Sequence, residues 1–195
     1  LRNIIKETGW NYEEVEGEAV FYGPKLDFIF KDAIGRPWQL STIQLDFNLP
    51  KRFGLEYVTE NGKKETPVVI HRAVLGSTER FLGILIEHYG GAFPLWLSPV
   101  QVAVLPIGEK HKEYAAEIYN SLKESGIRAE LDETNETLGK KIRLAKTSKV
   151  PYFLVLGDKE MESKIVTVEK REGNSGKETI ESFIKILKEE IKNKK

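Results

Sequence analysis

The pattern of apolar residues changes across Gly90-Gly91-Ala92-Phe93-Pro94-Leu95-Trp96-Leu97-Ser98-Pro99, and this change constrains the fold more than any other feature. Glycines end a helix and two prolines bracket an apolar connector, a pattern of a packed linker rather than a free tether. Before it, short strand patterns dominate, at 19–22, 25–30, 38–47, 55–58 and 64–70. Gly23-Pro24, residues 32–36 and Asn61-Gly62 supply the turns. A helix is predicted over 77–89, with Phe81, Leu82, Leu85, Ile86 and Tyr89 on one stripe. This half reads as α+β, an antiparallel sheet with a helix. After the connector, strands at 100–107, 127–131, 150–156 and 165–168 are interspersed with helices at 110–125, 137–146 and 178–192. Such alternation predicts a small α/β domain with a mostly parallel sheet and right-handed crossovers. The expected domains are 1–98 and 99–195.

The 195 residues leave room for two domains of about 100 residues each. Thirty basic and thirty acidic side chains cancel, so a nucleic-acid surface has to be a local patch. The absence of cysteine excludes disulfides, thiolate metal ligands and a cysteine nucleophile. No apolar run reaches the roughly 18 residues of a membrane span, and the default expectation is a cytoplasmic protein without a membrane partner. The chain opens Leu1-Arg2-Asn3 and its one methionine is Met161, so it reads as a piece of a longer polypeptide.

Three clusters carry candidate chemistry. In Pro67-Val68-Val69-Ile70-His71-Arg72-Ala73-Val74-Leu75-Gly76-Ser77-Thr78-Glu79-Arg80 a strand delivers a histidine, a glycine turns the chain, and a helix presents an arginine. A neutral imidazole is a metal ligand, and a guanidinium suits phosphates or an adenine face. In Tyr22-Gly23-Pro24-Lys25-Leu26-Asp27-Phe28 a phenol, a tight turn and a lysine could line a pocket. Trp38-Gln39-Leu40-Ser41-Thr42-Ile43-Gln44-Leu45-Asp46-Phe47 buries amides, a hydroxyl and a carboxylate in an apolar strand, which is costly unless they are hydrogen-bonded. Strict alternation puts Gln39 on one face and Thr42 and Gln44 on the other. A shared pocket therefore needs a bulge between Gln39 and Thr42.

In this order the clusters resemble the threonyl-tRNA synthetase family of class II aminoacyl-tRNA synthetases, with 67–80 matching motif 3. The resemblance implies the later part of a class II catalytic core, to about Leu97, followed by the anticodon-binding domain shared by threonyl, prolyl, histidyl and glycyl enzymes. It implies ATP-dependent activation of threonine and transfer to tRNA(Thr), with Mg²⁺ and a catalytic Zn²⁺, in an enzyme that is a homodimer when complete. Carried over residue by residue, Lys25 and Arg80 are catalytic. Tyr22, Gln44 and His71 bind substrate; Gln39, Thr42 and Arg80 bind ATP; His71 is one zinc ligand. The family's other two zinc ligands and its motifs 1 and 2 find no match here, so this chain alone is not expected to aminoacylate. In the second half, Asn135-Glu136-Thr137-Leu138-Gly139-Lys140-Lys141-Ile142-Arg143 and Gly157-Asp158-Lys159-Glu160 match the anticodon domain. The resemblance makes Asn135, Arg143 and Glu160 anticodon contacts. Lys140, Lys141, Arg143, Lys146 and Lys149 would supply phosphate contacts. Glu169 stands where bacterial members carry an arginine, with Lys170 or Arg171 as substitutes. His88 and His111 read as surface residues. The alternative is a non-enzymatic, synthetase-like module that binds tRNA or another RNA.

Overall fold

The computed structural model describes residues 1–173 and 175–195, which form two compact units, Leu1–His88 and Tyr89–Lys195. In the first, α1 (Arg2–Thr8) precedes β1 (Lys25–Lys31), β2 (Pro37–Asp46) and the short α2 (Leu49–Arg52). A two-residue hairpin, β3 (Tyr57–Val58) and β4 (Lys64–Glu65), then leads to β5 (Val69–Ala73) and α3 (Thr78–Tyr89). The sheet runs β1-β2-β5 and is antiparallel throughout. The expected strand at 19–22 is reduced to one bridge, Val20 to Gly23. The expected strand at 64–70 is broken, because Pro67 has no N–H for a ladder; its second part shifts on to become β5 and pairs with β2. Burial in this unit is as much polar as apolar. Leu40 and Pro50 are buried, and so are Asp32, Gln44 and Asp46, while Ile29, Phe30, Ile70 and Val74 stand exposed. Asp32 closes the β1–β2 turn by accepting from the Arg36 and Ile34 N–H groups and from the Trp38 indole.

In the second unit, β6 (Val102–Pro106) leads through a 3₁₀ turn at Glu109–His111 into α4 (Lys112–Glu124). There follow β7 (Ala129–Leu131), α5 (Leu138–Thr147), β8 (Tyr152–Leu156), α6 (Asp158–Ser163), β9 (Val166–Lys170), β10 (Ser175–Glu178) and α7 (Ile180–Lys192). The sheet order is β10-β9-β8-β6-β7. β7, β6 and β8 form a parallel core, and β9 and β10 extend it antiparallel. Both faces are covered, as a parallel sheet requires. Val102, Val104 and Leu154 pack with Ile118, Leu122, Phe183 and Leu187 of α4 and α7. The intervening Ala103, Leu105 and Phe153 pack with Ala145 and Ile142 of α5. α6 and β10 have no counterpart among the sequence expectations.

The units divide between His88 and Tyr89, ahead of the expected boundary at 98/99, because the connector is fastened to the second unit. The Arg128 guanidinium donates to Ser98 O at 2.8 and 3.0 Å and to Trp96 O at 2.9 Å. Fully buried Gln101 donates to Leu95 O and accepts from the Arg128 N–H, both at 2.9 Å. Leu95 itself joins the core. Among the described residues no helix is long and apolar enough to cross a membrane.

Candidate active site and nucleic-acid interface

Strand register builds the first site. Lys25, Gln44 and His71 lie directly opposite one another across β1, β2 and β5, and Asp27 lies opposite Thr42 in the neighbouring row. The β1–β2 register jumps between Phe28, opposite Ser41, and Ile29, opposite Gln39, leaving Leu40 as the extra residue. This bulge re-aims Gln39 onto the face of Thr42, which removes the parity conflict. The consequence is visible at Asp27. Its Oδ1 accepts from Gln39 Nε2 and Thr42 Oγ1, each at 2.7 Å, and its Oδ2 takes the Lys25 ammonium. Burial pushes the Asp27 carboxyl up, but the Lys25, Thr42 and Gln39 bonds outweigh it and hold the group below its usual value. The same pairing with Asp27 raises Lys25 above its usual value.

Two glycines make the geometry possible. A Cβ on Gly23 would sit 2.1 Å from Leu45 O, so no other residue lets the turn before Lys25 lie this close to β2. That turn is fixed by the Phe47 N–H donating to Tyr22 O at 2.9 Å and the Leu45 N–H to Pro24 O at 3.0 Å. Gly76, at φ +70°, would bring a Cβ within 2.7 Å of Leu40 O. The tight passage from β5 into α3 that it permits lets Arg80 Nη1 donate to Gln39 O at 3.3 Å. Tyr22 packs edge-on against His71, with ring centroids 5.9 Å apart. Tyr22, Lys25, Gln39, Thr42, Gln44, His71 and Arg80 are thus joined through strand pairing and direct contacts around one sheet.

Two carboxylates absent from the sequence assignment organise this set. Asp27 is one. The other is Asp46, whose Oδ2 lies 2.8 Å from His71 Nε2. The available signal was alternation, which puts Asp46 on the face of Thr42 and Gln44 and makes it an unexplained charge in an apolar strand. The Gln44 Nε2 is buried without a hydrogen-bond partner. A buried donor left unpaired costs about 1–3 kcal/mol, a cost that an accepting ligand group would remove.

The second unit gathers its candidates where parallel strands end. Asn135 lies on the loop after β7, and its Oδ1 accepts from Lys112 Nζ at 3.2 Å. Glu160 lies in α6, after β8, with Oε2 accepting from the Gly157 N–H at 3.0 Å and Oε1 from Thr167 Oγ1 at 2.8 Å. Only an edge of Glu160 stays accessible, with two of its four lone-pair sites taken. Arg143 stands exposed on the second turn of α5. The basic helix is thinner than expected. Lys141 is buried, with Nζ 3.2 Å from Pro106 O and 3.3 Å from Asp132 O, so it ties α5 to the ends of β6 and β7 and cannot meet a phosphate. Lys149 is tied to Gly90 O and Lys140 is paired with Glu136 at 2.5 Å. The proposed substitutes for the missing arginine are also engaged: Arg171 donates to Phe93 O and Lys149 O, and Lys170 lies over the Tyr152 ring. His111 is not at the surface. It is 3% exposed and links the turn after β6 to α6, because its Nδ1 accepts from the Gly108 N–H while its Nε2 meets Asp158 at 3.0 Å.

Family models match both units. Residues 2–89 match the tRNA synthetase class II core domain (G, H, P, S and T), and residues 101–190 match the anticodon binding domain. Over its whole length the chain is 53% identical to the threonine–tRNA ligases of Carboxydothermus hydrogenoformans and Aquifex aeolicus. The chain belongs to the threonyl-tRNA synthetase family. It spans 31% of the length of those two ligases. Among solved structures, the RNA binding domain of the threonyl-tRNA synthetase from Cryptosporidium parvum matches with a TM-score of 0.89 and 39% identity, over 96% of this chain and 48% of that one. The prolyl-tRNA synthetase of the same organism, crystallised with L-proline and AMP, matches with a TM-score of 0.70 and 26% identity, over 92% and 42%. The donors present do not fit the zinc that threonyl-tRNA synthetase chemistry implies. Among the described residues no three His, Cys, Asp or Glu side chains gather into a metal site. His71 alone does not make one, because structural and catalytic zinc sites use three or four protein ligands.

Proposed function

We propose that this chain supplies one wall of the threonyl-adenylate site and the anticodon-reading domain of a threonine–tRNA ligase. The observation that carries the reading is the buried, unpaired amide of Gln44, set between Lys25 and His71 on a sheet whose family is that of the ligases. The donor pattern suits an aminoacyl nucleotide. Asp27 takes one N–H of Gln39 and the hydroxyl hydrogen of Thr42, so Thr42 keeps only acceptor lone pairs for a nucleoside amine or hydroxyl, while Gln39 keeps its carbonyl oxygen and a second N–H. Gln44 offers a donor to a carbonyl or carboxylate oxygen. When the threonine carboxylate attacks the α-phosphorus of ATP, a new P–O bond forms and pyrophosphate leaves with its bonding pair. Negative charge grows on the phosphoryl oxygens, and Lys25 and Arg80 oppose it as pre-placed cations, as Mg²⁺ does when bound. A site built to bond the threonine hydroxyl rejects valine, because its polar groups are then left unpaired. This chain brings only His71 toward a zinc ion, and the residues assigned above act without one. In the second unit, Asn135 and Glu160 present polar edges to unstacked bases and Arg143 a phosphate contact.

A chimera tests this. The chain replaces the matching stretch of the Carboxydothermus hydrogenoformans ligase, and threonylation of tRNA(Thr) is measured. Activity that falls at least tenfold on Lys25→Ala or Gln44→Ala supports the reading. A folded chimera that binds tRNA(Thr) but forms no threonyl-adenylate refutes it in favour of an RNA-binding module.

A further inference from the structure

We infer that Asp46 is a positioning residue that holds His71 as the Nε2–H tautomer, making Nδ1 the nitrogen that the ring offers to a ligand. The use of that nitrogen rests on the proposed active site; the tautomer itself does not.

Asp46 is fully buried. Its Oδ1 accepts from the Asn48 and Leu49 N–H groups, both at 2.9 Å, at the start of α2. Its Oδ2 is left for His71 Nε2 at 2.8 Å. With two backbone N–H groups donating to it, the side chain is placed as a carboxylate, which accepts through Oδ2 and does not donate. A neutral imidazole carries one N–H, and a carboxylate facing Nε2 requires the hydrogen there. Nδ1 then keeps its lone pair. The anchor is rigid, because two backbone amides of a helix start fix the carboxylate and the carboxylate fixes the ring.

A second histidine–aspartate pair provides the contrast. His111 also directs Nε2 at a carboxylate, Asp158, but its Nδ1 is spent on the Gly108 N–H and its side chain is 4% exposed. Both nitrogens of His111 are satisfied, as in a structural tie. The His71 side chain is 44% exposed and is held by the carboxylate through one nitrogen only. Its neighbours on the face are the edge-on Tyr22 ring and the orphaned Gln44 amide, which belong to the same candidate site. A carboxylate behind an imidazole that presents its second nitrogen is the arrangement that orients and strengthens a ligating histidine.

The test is the tautomer. With histidine labelled by ¹⁵N, long-range proton–nitrogen correlation is recorded at about pH 8.5, where an ordinary imidazole is neutral. His71→Gln assigns the His71 signals by their disappearance. The expected result for the parent chain is a protonated, pyrrole-type Nε2 and an unprotonated, pyridine-type Nδ1 at His71. In Asp46→Asn the amide oxygen keeps the two backbone bonds, while its N–H₂ turns the partner of Nε2 from acceptor to donor. The His71 pattern should then invert, with the His111 pattern unchanged as the control for an intact fold. An Nδ1–H form in the parent chain overturns the inference, and so does a folded Asp46→Asn variant whose His71 pattern stays as in the parent. Should that variant fail to fold, the parent tautomer decides alone. Neither result depends on ligase activity, so an inactive chimera leaves the tautomer standing, and a wrong tautomer leaves the chimera's activity standing.

Discussion

Substituting Lys141 separates a structural lysine from an RNA contact. The side chain is 3% exposed, and its ammonium lies 3.2 Å from Pro106 O, 3.3 Å from Asp132 O and 3.5 Å from Asp132 Oδ1. Lys141→Ala leaves two carbonyls at the ends of β6 and β7 without their donor and a carboxylate without its cation. A hydrogen bond to a charged group contributes about 1.5–3 kcal/mol, and breaking a buried pair costs about 3–5 kcal/mol. The Asp132 side chain is 18% exposed, so water relieves part of that cost, and the lower end, about 3 kcal/mol, applies. In a unit of about 100 residues each kcal/mol lowers the melting midpoint by about 4–8 °C, so a fall of about 12–24 °C is expected. Calorimetry or circular dichroism measures it. The complementary assay is anticodon stem-loop binding by Lys141→Met, which keeps the volume, well below its melting point. A phosphate contact to a single strand would change the logarithmic salt slope by about 0.7. A buried ammonium changes it by nothing. An unchanged midpoint in Lys141→Ala together with a flattened salt dependence in Lys141→Met would refute the reasoning and restore Lys141 to the RNA surface.

Three further outcomes are expected. Burial raises the Glu160 carboxyl, but the Thr167 and Gly157 bonds outweigh it and hold the group below its usual value, so its stabilisation is complete above the unfolded value of about 4.3 and is lost as pH falls through the lower folded value. Melting midpoints between about pH 6 and pH 3 should therefore fall less steeply in Glu160→Gln than in the parent, and parallel curves would count against this assignment. Asn135→Ala should reduce the preference for a threonine anticodon stem-loop by about 1–3 kcal/mol in competition binding, whereas an unaltered preference means that Asn135 reads no base. Zinc should be lost on dialysis of this chain, as atomic absorption would record; stoichiometric retention would require ligands beyond His71.

The second unit was the more legible of the two. The apolar strands β6 and β8 are buried on both faces, so composition alone marks them, and the intervening helices carry their stripes at helical spacing. The first unit was legible mainly as turns: the 32–36 loop and Asn61-Gly62 fall between the strands they were expected to separate, whereas Gly23-Pro24 leads into β1 with only a single bridge before it. What stayed hidden depended on partners distant in sequence. Lys141 is three residues from Leu138 and four from Ala145, so helical spacing does put it on the inward face, but its charge suggested solvent; only the carbonyls at two strand ends make its burial tolerable. His111 misled in the same way, because its partner Asp158 lies 47 residues on.

Residue types, turn chemistry and periodicity determined by themselves that this chain forms an antiparallel α+β half and an α/β half, and which polar side chains would need partners if buried. Each of those signals is local, acting over one turn of helix or two residues of strand. Only the tertiary structure decided that Leu40 bulges, that Gln39 and Thr42 then share Asp27, and that Asp46 stands behind His71. Those facts depend on how β1 and β5 register against β2, and a one-residue slip would send every one of these side chains to the opposite face.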